Sequence, residues 1–384
     1  MTGFDFESIP RMLCADGASS RLAELARARG MRRPFIVTDR GLLDSGTLQG
    51  ALAGFAKAGI GPVLWSGVQA DPPEVSVIEA VRAARDAMAD GVLGVGGGSS
   101  MDTAKLVALL APTDQQIGDT YGIGLARGPR LPLIQAPTTA GTGSEVTAIA
   151  IVTTGAGEKK GVVSSLLYAD LAVLDATLTV GLPARATAMT GLDAMVHAIE
   201  AYTSRHRKNV LSDTLAHRAL ALLSANIRRV LRNGQDLDAR RAMLQGSMLA
   251  GMAFANAPVG AVHALAYPLG GQFHVPHGLS NALVLLPVLE FNSTVAETLY
   301  GELSRSLLDD EGAACRAATA SEFIRAMGDL LDDMPFERRL RDVGVGEADL
   351  PPLARDALAV QRLLVNNPRE VTYDDALAIY RSVY

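Results

Sequence analysis

Cysteine is almost missing from this chain: two in 384 residues, Cys14 and Cys315. So few, and so far apart, exclude a disulfide framework and leave two buried or half-buried thiols as the expectation. Positive charge is also scarce, with 35 Lys and Arg against 41 Asp and Glu, a formal net charge of −6. That balance argues against nucleic acid or an anionic membrane surface as the main partner. No apolar run approaches the length needed to cross a bilayer. The amino terminus, Met1 to Pro10, carries acids where a secretory signal would be basic and then apolar. There is no internal repeat and no low-complexity segment. These absences leave a cytoplasmic soluble enzyme as the expectation, with neither a nucleic-acid nor a membrane partner.

What is present is an ordinary globular composition, 48% apolar and 20% charged, in more length than one core usually supports, so two domains are expected. The first half alternates short apolar strands with amphipathic helices. Strands are predicted at Pro34–Asp39, Pro62–Trp65, Gly91–Val95, Leu133–Ala136 and Leu171–Asp175, and helices at Ser45–Ala58, Val75–Met88 and from the Gly96 loop through Leu110. Such alternation with buried strands implies a doubly wound parallel α/β sheet, whose ligands sit beyond the carboxyl ends of the strands. Ile149–Val152 and Gly161–Val163, separated by Gly155-Ala156-Gly157, read as a hairpin. From Leu182-Pro183 the strand signal stops. Long helical stretches follow, at Asn209–Arg232, Leu237–Ala257, Ala296–Leu308 and Ala317–Leu331. The expected domains are therefore an α/β domain at 1–182 and an all-helical one at 183–384.

Histidine is the third scarce residue, and its distribution is informative. All six lie between residues 197 and 277. Asp193 and His197 stand four apart in a helix-compatible run, so both leave one helix face. A carboxylate and imidazoles converging in an apolar setting suit a divalent transition metal. His263, His274 and His277 follow, with Pro276 forbidding any assumption of helical geometry there. Chemistry alone leaves either His274 or His277 able to complete the set. His206 and His217, in charged surroundings, read as surface residues.

Two loops suit a dinucleotide. Gly96-Gly97-Gly98-Ser99 lies between a strand and a helix, where bare backbone and a helix N-terminus favour a diphosphate. It follows the third predicted strand, whereas the usual fingerprint follows the first. Asp39, ending the first predicted strand, could bind an adenosine ribose diol and repel a 2′-phosphate, which favours NAD over NADP; it reads equally as a cap ahead of Arg40-Gly41. The run Pro137-Thr138-Thr139-Ala140-Gly141-Thr142-Gly143-Ser144-Glu145-Val146-Thr147 is dense in small and hydroxylated residues suited to a polar ligand.

The Gly-Gly-Gly-Ser-x-x-Asp-x-x-Lys run ending at Lys105, Pro137 to Thr147, Gly191-Leu192-Asp193-x-x-x-His197 and Pro276-His277-Gly278 together resemble the iron-containing, or group III, alcohol dehydrogenase family. The resemblance implies a dehydroquinate synthase-like amino-terminal dinucleotide-binding domain, a carboxy-terminal helical metal-binding domain, and a metal in the cleft between them. It assigns Asp193, His197, His263 and His277 as metal ligands, with Fe(II) as the metal and Zn(II) common among relatives. Asp39, Gly97, Gly98, Ser99, Thr138, Thr139, Thr147 and Lys160 would contact the cofactor. Relatives are often dimers or larger assemblies, so a homodimer or higher homo-oligomer is expected. The chain departs from the family at Asp71-Pro72-Pro73, where many relatives have Asn-Pro-Thr, and at Tyr267, where many have histidine.

The implied reaction is reversible hydride transfer between NAD and an alcohol. The metal acidifies the alcohol in one direction and polarises the aldehyde in the other. Tyr267 would relay a proton or pack against the nicotinamide, and His277 would join it at the reacting centre. Phe254, Leu265 and Phe273 read as cleft walls or as core, and His274 as a residue lining the cleft. Residues 251–292 contain no Lys or Arg, which favours neutral alcohols and aldehydes over di-acids and weakens a dehydroquinate synthase-like lyase. A hydroxyacid or oxoacid oxidoreductase, including maleylacetate reductase-like activity, is the alternative.

Overall fold

The structure, a computed structural model, describes residues 3–155, 158–307 and 319–384. Cys315, the ends at Leu308 and Ala317 of two expected helices, and Ala156-Gly157 of the expected hairpin turn lie outside the described residues. The chain divides into two compact units, Glu7–Leu182 and Pro183–Tyr384, with the residues before Glu7 grouped with the second.

In the first unit the strands are β1 (Met12–Cys14), β2 (Pro34–Val37), β3 (Val63–Trp65), β4 (Gly91–Gly96), β5 (Gly122–Ile123), β6 (Leu133–Pro137), β7 (Ile149–Thr153), β8 (Lys159–Val163) and β9 (Leu171–Leu174). Six form one parallel sheet in the order β1-β9-β6-β4-β2-β3, while β7 and β8 pair antiparallel beside β5. The period of two explains why both faces are covered. Phe35, Val37, Val92 and Leu133 pack on the helices α4 (Glu74–Asp86) and α5 (Gly98–Leu110). Ile36, Leu93, Val95, Ile134 and Ala136 face the other way, onto Leu22 and Leu25 of α1 (Leu22–Arg27) and Ala51 and Phe55 of α3 (Gln49–Lys57). From β2 the chain runs outward to β3 and then returns to β4 on the other side. The order therefore reverses between β2 and β4, where such sheets leave a crevice for a ligand.

Four readings need correction here. Three-residue β1 carries too little pattern to be seen in sequence, so the glycine loop follows the fourth strand of the chain and not the third. The helix expected over Ser45–Ala58 is α3, which starts later, at Gln49; an unexpected short helix α2 (Arg40–Asp44) precedes it, and the two are separated at Gly46, whose φ of +77° only glycine adopts without strain. Cys14 is exposed, because β1 lies at the edge of the sheet. The fourth concerns apolar length in the second unit.

That unit is helical: α6 (Ala184–Thr203), α7 (Val210–Arg232), α8 (Leu237–Asn256), α9 (Ala261–Phe273), α10 (His277–Leu307), α11 (Ala320–Asp332), α12 (Leu350–Ala359), α13 (Gln361–Leu364) and α14 (Tyr373–Ser382). Every residue from Gly191 to Thr203 is buried, so α6 is the central helix, enclosed on all sides. Asn209 and Thr372 cap α7 and α14 with reciprocal side-chain and backbone bonds. α10 begins far before the expected Ala296, which marks only a break within it (φ −111°). By length and composition α10 could cross a membrane, contrary to the sequence reading. It instead packs against α6, α9 and α11 and buries Ser280, Asn281 and Asn292.

The approach of α3 to the turn at Ala18–Arg21 gives a test of packing. A Cβ on Gly54 would lie 2.0 Å from the Ser20 carbonyl oxygen. Gly54→Ala is therefore expected to lose about 1–3 kcal/mol in denaturant unfolding. At an uncrowded helix position the same change would gain about 1 kcal/mol, so the sign decides.

Candidate functional site

Asp193 and His197, one turn apart on α6, point the same way as His263 of α9 and His277, the first residue of α10. The Asp193 Oδ1 atom is 3.5 Å from His277 Nε2, 3.7 Å from His263 Nε2 and 3.9 Å from His197 Nε2. One donor atom each from Asp193, His263 and His277 can be chosen so that all lie within 4.8 Å of one another. Ligands that share one divalent ion at about 2.1 Å stand roughly 3–3.5 Å apart, so Asp193, His263 and His277 are spaced almost as an ion would require, while His197, 3.9 Å from the Asp193 oxygen, stands outside that group of three. The chemistry agrees. A buried carboxylate among imidazole nitrogens is a concentration of acceptors that only a cation or protons can balance. Burial by itself would raise the Asp193 carboxyl; His197, His277, His263 and the Asn281 amide outweigh it and hold it below its ordinary range. The donor set fits a divalent metal.

The surrounding residues fix these rings. His263 Nδ1 is 2.6 Å from Glu200 Oε2, and the other oxygen of Glu200 accepts from the Val262 amide at 2.7 Å. A carboxylate on Nδ1 turns the Nε2 lone pair toward the cluster. Phe254 stacks on His197 at 4.2 Å, and His197 on His263 at 4.7 Å. Asn281, one turn beyond His277, donates to Asp193 Oδ1 at 2.7 Å, and its own carbonyl oxygen has no hydrogen-bond partner. Neither Glu200 nor Asn281 was assigned from sequence. Glu200 stands three residues after His197 on α6 and Asn281 four after His277 on α10, but their partners, His263 and Asp193, are on other helices, a signal visible only once the helices are placed.

Other readings divide. His274 is an exposed left-handed C-cap of α9, outside the cluster, because Pro276 separates it from α10. His206 is exposed, whereas His217 is half-buried beside Tyr202 (6.5 Å), so the surface reading of His217 is corrected. Leu265 is fully buried core, and its carbonyl accepts from Tyr380. The Tyr267 ring lies 6.0 Å from that of His277. Its hydroxyl accepts from Arg362 Nη2 at 3.2 Å. The lack of Lys and Arg in 251–292 therefore does not leave the surroundings uncharged: α13, far along the chain, brings a guanidinium.

In the first unit Asp39 caps α2, accepting from the Leu42 amide at 3.0 Å, and stands beyond β2 at the reversal of strand order. Gly97 precedes α5 with no side-chain cap, leaving the amides of its first turn for a ligand. The two loops are in contact. A Cβ on Gly97 would be 3.5 Å from Thr139, and one on Gly98 would be 2.7 Å from Thr142. The Thr138 amide bonds the Gly96 carbonyl at 3.0 Å, and Ser99 Oγ accepts from the Asp71 amide. Thr147 and Lys160 point elsewhere. The Thr147 hydroxyl is buried against Lys105, and Lys160 lies over Tyr121 at 5.7 Å. Lys159, on the opposite side of β8 by the alternation of a strand, reaches Asp71 at 2.7 Å.

Lys105 is the residue that ties the loops together. Fully buried, it donates to Ser144 Oγ (2.8 Å), Thr147 Oγ1 (3.1 Å) and the Ile149 carbonyl (2.7 Å). Burial lowers its ammonium to about 8 and raises its buried neighbour Glu145 to about 7. A carboxyl raised from 4.5 to about 7 holds its proton longer in the folded state. Its contribution to stability is complete below pH 4.5 and disappears as pH rises through about 7. Glu145→Gln is expected to remove this slope, at most about 1.4 kcal/mol per pH unit, from urea unfolding measured across that range. An unchanged slope would place the titration elsewhere.

Comparison with known proteins follows the same division. The iron-containing alcohol dehydrogenase profile matches residues 10–176, and that of the C-terminal part of the Fe-containing alcohol dehydrogenase family matches 187–384. The chain is 36% identical to a probable alcohol dehydrogenase, EutG, of Escherichia coli K12, over 98% of this chain and 93% of the other. Its fold is similar to a crystal structure of 1,3-propanediol oxidoreductase, with a TM-score of 0.94, 32% identity and full coverage of both chains. It is also similar to a sulfoacetaldehyde reductase from Bifidobacterium kashiwanohense in complex with NAD+, with a TM-score of 0.90 and 27% identity over 100% of this chain and 99% of that one. A six-stranded parallel sheet, a helical carboxy-terminal half and matches to both halves lead to one conclusion: this chain is an oxidoreductase that belongs to the iron-containing alcohol dehydrogenase family.

Proposed function

We propose that this chain interconverts alcohols and aldehydes, with NAD as hydride carrier and a divalent metal held by Asp193, His197, His263 and His277. The observation that carries this reading is the buried convergence of one carboxylate and three imidazoles. The NAD+ bound by a structural neighbour supports the choice of carrier. Fe(II) is the proposed ion, on the family's description and on a donor set of nitrogen and carboxylate oxygen; Zn(II) is the alternative. When bound, the metal supplies a Lewis acid for the substrate oxygen, and nicotinamide supplies or accepts the hydride.

The chain's own residues do the rest. Asp193 sets the charge of the centre, and Glu200 holds His263 with Nε2 inward. His277 is the most accessible of the four, its side chain 29% exposed against 3–6% for the others, so substrate approaches on its side. Tyr267 stands beside His277 on that side. Its hydroxyl accepts from Arg362 and keeps its own proton for transfer to or from a substrate oxygen. Gly97, Gly98, Ser99, Thr138 and Thr139 would surround the diphosphate of NAD, and Asp39 its ribose. Thr147 and Lys160 enter through family resemblance alone.

Purified protein loaded with Fe(II) or Zn(II) is expected to form NADH from NAD and primary alcohols, to stop with a chelator and to resume when metal is restored. Equal turnover in the metal-free protein, or a strong preference for NADP, would count against the reading. Metal analysis separates the two neighbouring histidines: His277→Ala is expected to lose bound metal and His274→Ala to keep it. The reverse result would exchange their roles.

A further inference from the structure

The hydride transfer above leaves one charge beside the reacting centre without a task. Arg362 donates to the Tyr267 hydroxyl, and its Cζ stands 5.5 Å from the Tyr267 ring centroid. That ring is in turn 6.0 Å from His277. Tyr267 therefore neighbours both the guanidinium and the His277 imidazole. No carboxylate is within ion-pair distance of Arg362 among the described residues, and its hydrogen bond goes to Tyr267.

The segment that carries Arg362 is held in place, while the guanidinium itself is exposed. Leu363 and Leu364 anchor α13 in the core. The Asn366 amide donates both to the Arg362 carbonyl (3.1 Å) and to the Val259 carbonyl (3.2 Å), just before α9. Asn367 accepts from the amide of Ala261, the first residue of α9, and exchanges bonds with Asn292 of α10. The segment carrying Arg362 is therefore fastened to the two helices that carry His263, Tyr267 and His277. One N–H of the guanidinium is taken by Tyr267. The remaining planar donors match the paired oxygens of a carboxylate or sulfonate.

We propose that Arg362, braced by Tyr267, binds an anionic group at the far end of the substrate, so that the preferred substrates are short aldehydes and alcohols ending in a carboxylate or sulfonate. The inference rests on the oxidoreductase reading above. The reaction is unchanged: aldehyde, NADH and a proton give alcohol and NAD, and the anionic group is neither formed nor lost. Arg362 acts on specificity and takes no part in the hydride or proton transfer.

The test compares NADH oxidation by the metal-loaded protein with 4-oxobutanoate, 3-sulfopropanal and neutral butanal, for wild type, Arg362→Gln and Arg362→Lys. Wild type is expected to favour an anionic aldehyde in kcat/KM, and the contrast between the two anions tells carboxylate from sulfonate. In Arg362→Gln the anionic-to-neutral ratio falls about tenfold or more, the loss of one hydrogen-bonded charge pair, and Arg362→Lys recovers part of it. The wild-type preference also weakens with added salt, a response that a merely structural role would not give. A ratio unmoved in Arg362→Gln, or a wild-type preference for butanal, would overturn the inference and leave the oxidoreductase reading standing. Failure of all three aldehydes with metal bound would overturn both.

Discussion

Removing Asp193 from water is the constraint to which the helical unit answers. A carboxylate that is 3% exposed on its side chain is tolerated only where positive or donating groups surround it. Here the Asn281 amide donates to it, and imidazoles from three helices surround it with nitrogens that a cation or protons would have to share. α6 must therefore be central and buried on all sides, α9 must bring His263 to it, and α10 must start beside it at His277. Glu200 and Phe254 fix the orientation of those rings, and Asn281 bonds the carboxylate itself.

The α/β unit has the opposite feature, backbone donors at the start of α5 left without a side-chain cap. Glycine at the end of β4 keeps side chains away from the first turn of α5, and the threonine-rich run lies against it. Small residues alone would leave that region loose. Lys105 is a costly solution, a buried ammonium whose three donors are all used to hold Ser144, Thr147 and Ile149. The strand order then places this loop and Asp39 on either side of the one reversal in the sheet.

Specificity lies with residues that contribute nothing to the fold's pattern. Arg362 belongs to a four-residue helix more than eighty positions beyond His277 in the chain, and buried Leu363 and Leu364 with the asparagine clamp at Asn366 and Asn367 hold that helix beside α9. A family resemblance concentrated in the loops and metal ligands does not reach it. Residues 251–292 contain no Lys or Arg, and the guanidinium beside Tyr267 comes from α13, so the charge around that side chain is assembled from elsewhere in the chain.

The sequence by itself determined the alternation of strands and helices in the first half, the helical remainder, the glycine-rich and threonine-rich runs, and Asp193 with His197 on one helix face; between His274 and His277 it left the choice open. Each is a local pattern: a period of two or of 3.6, a run of glycine, a pair four apart. It missed β1 and the break at Gly46, where three residues or one backbone angle decide and no period exists to be read. Tertiary structure alone decided the exposure of Cys14, the separation of His274 from His277, the packing of apolar α10, and the partners Glu200, Asn281, Lys105 and Arg362. The reason is common to all of them: burial and hydrogen bonding between side chains distant along the chain depend on how helices and strands pack, which no local spacing encodes.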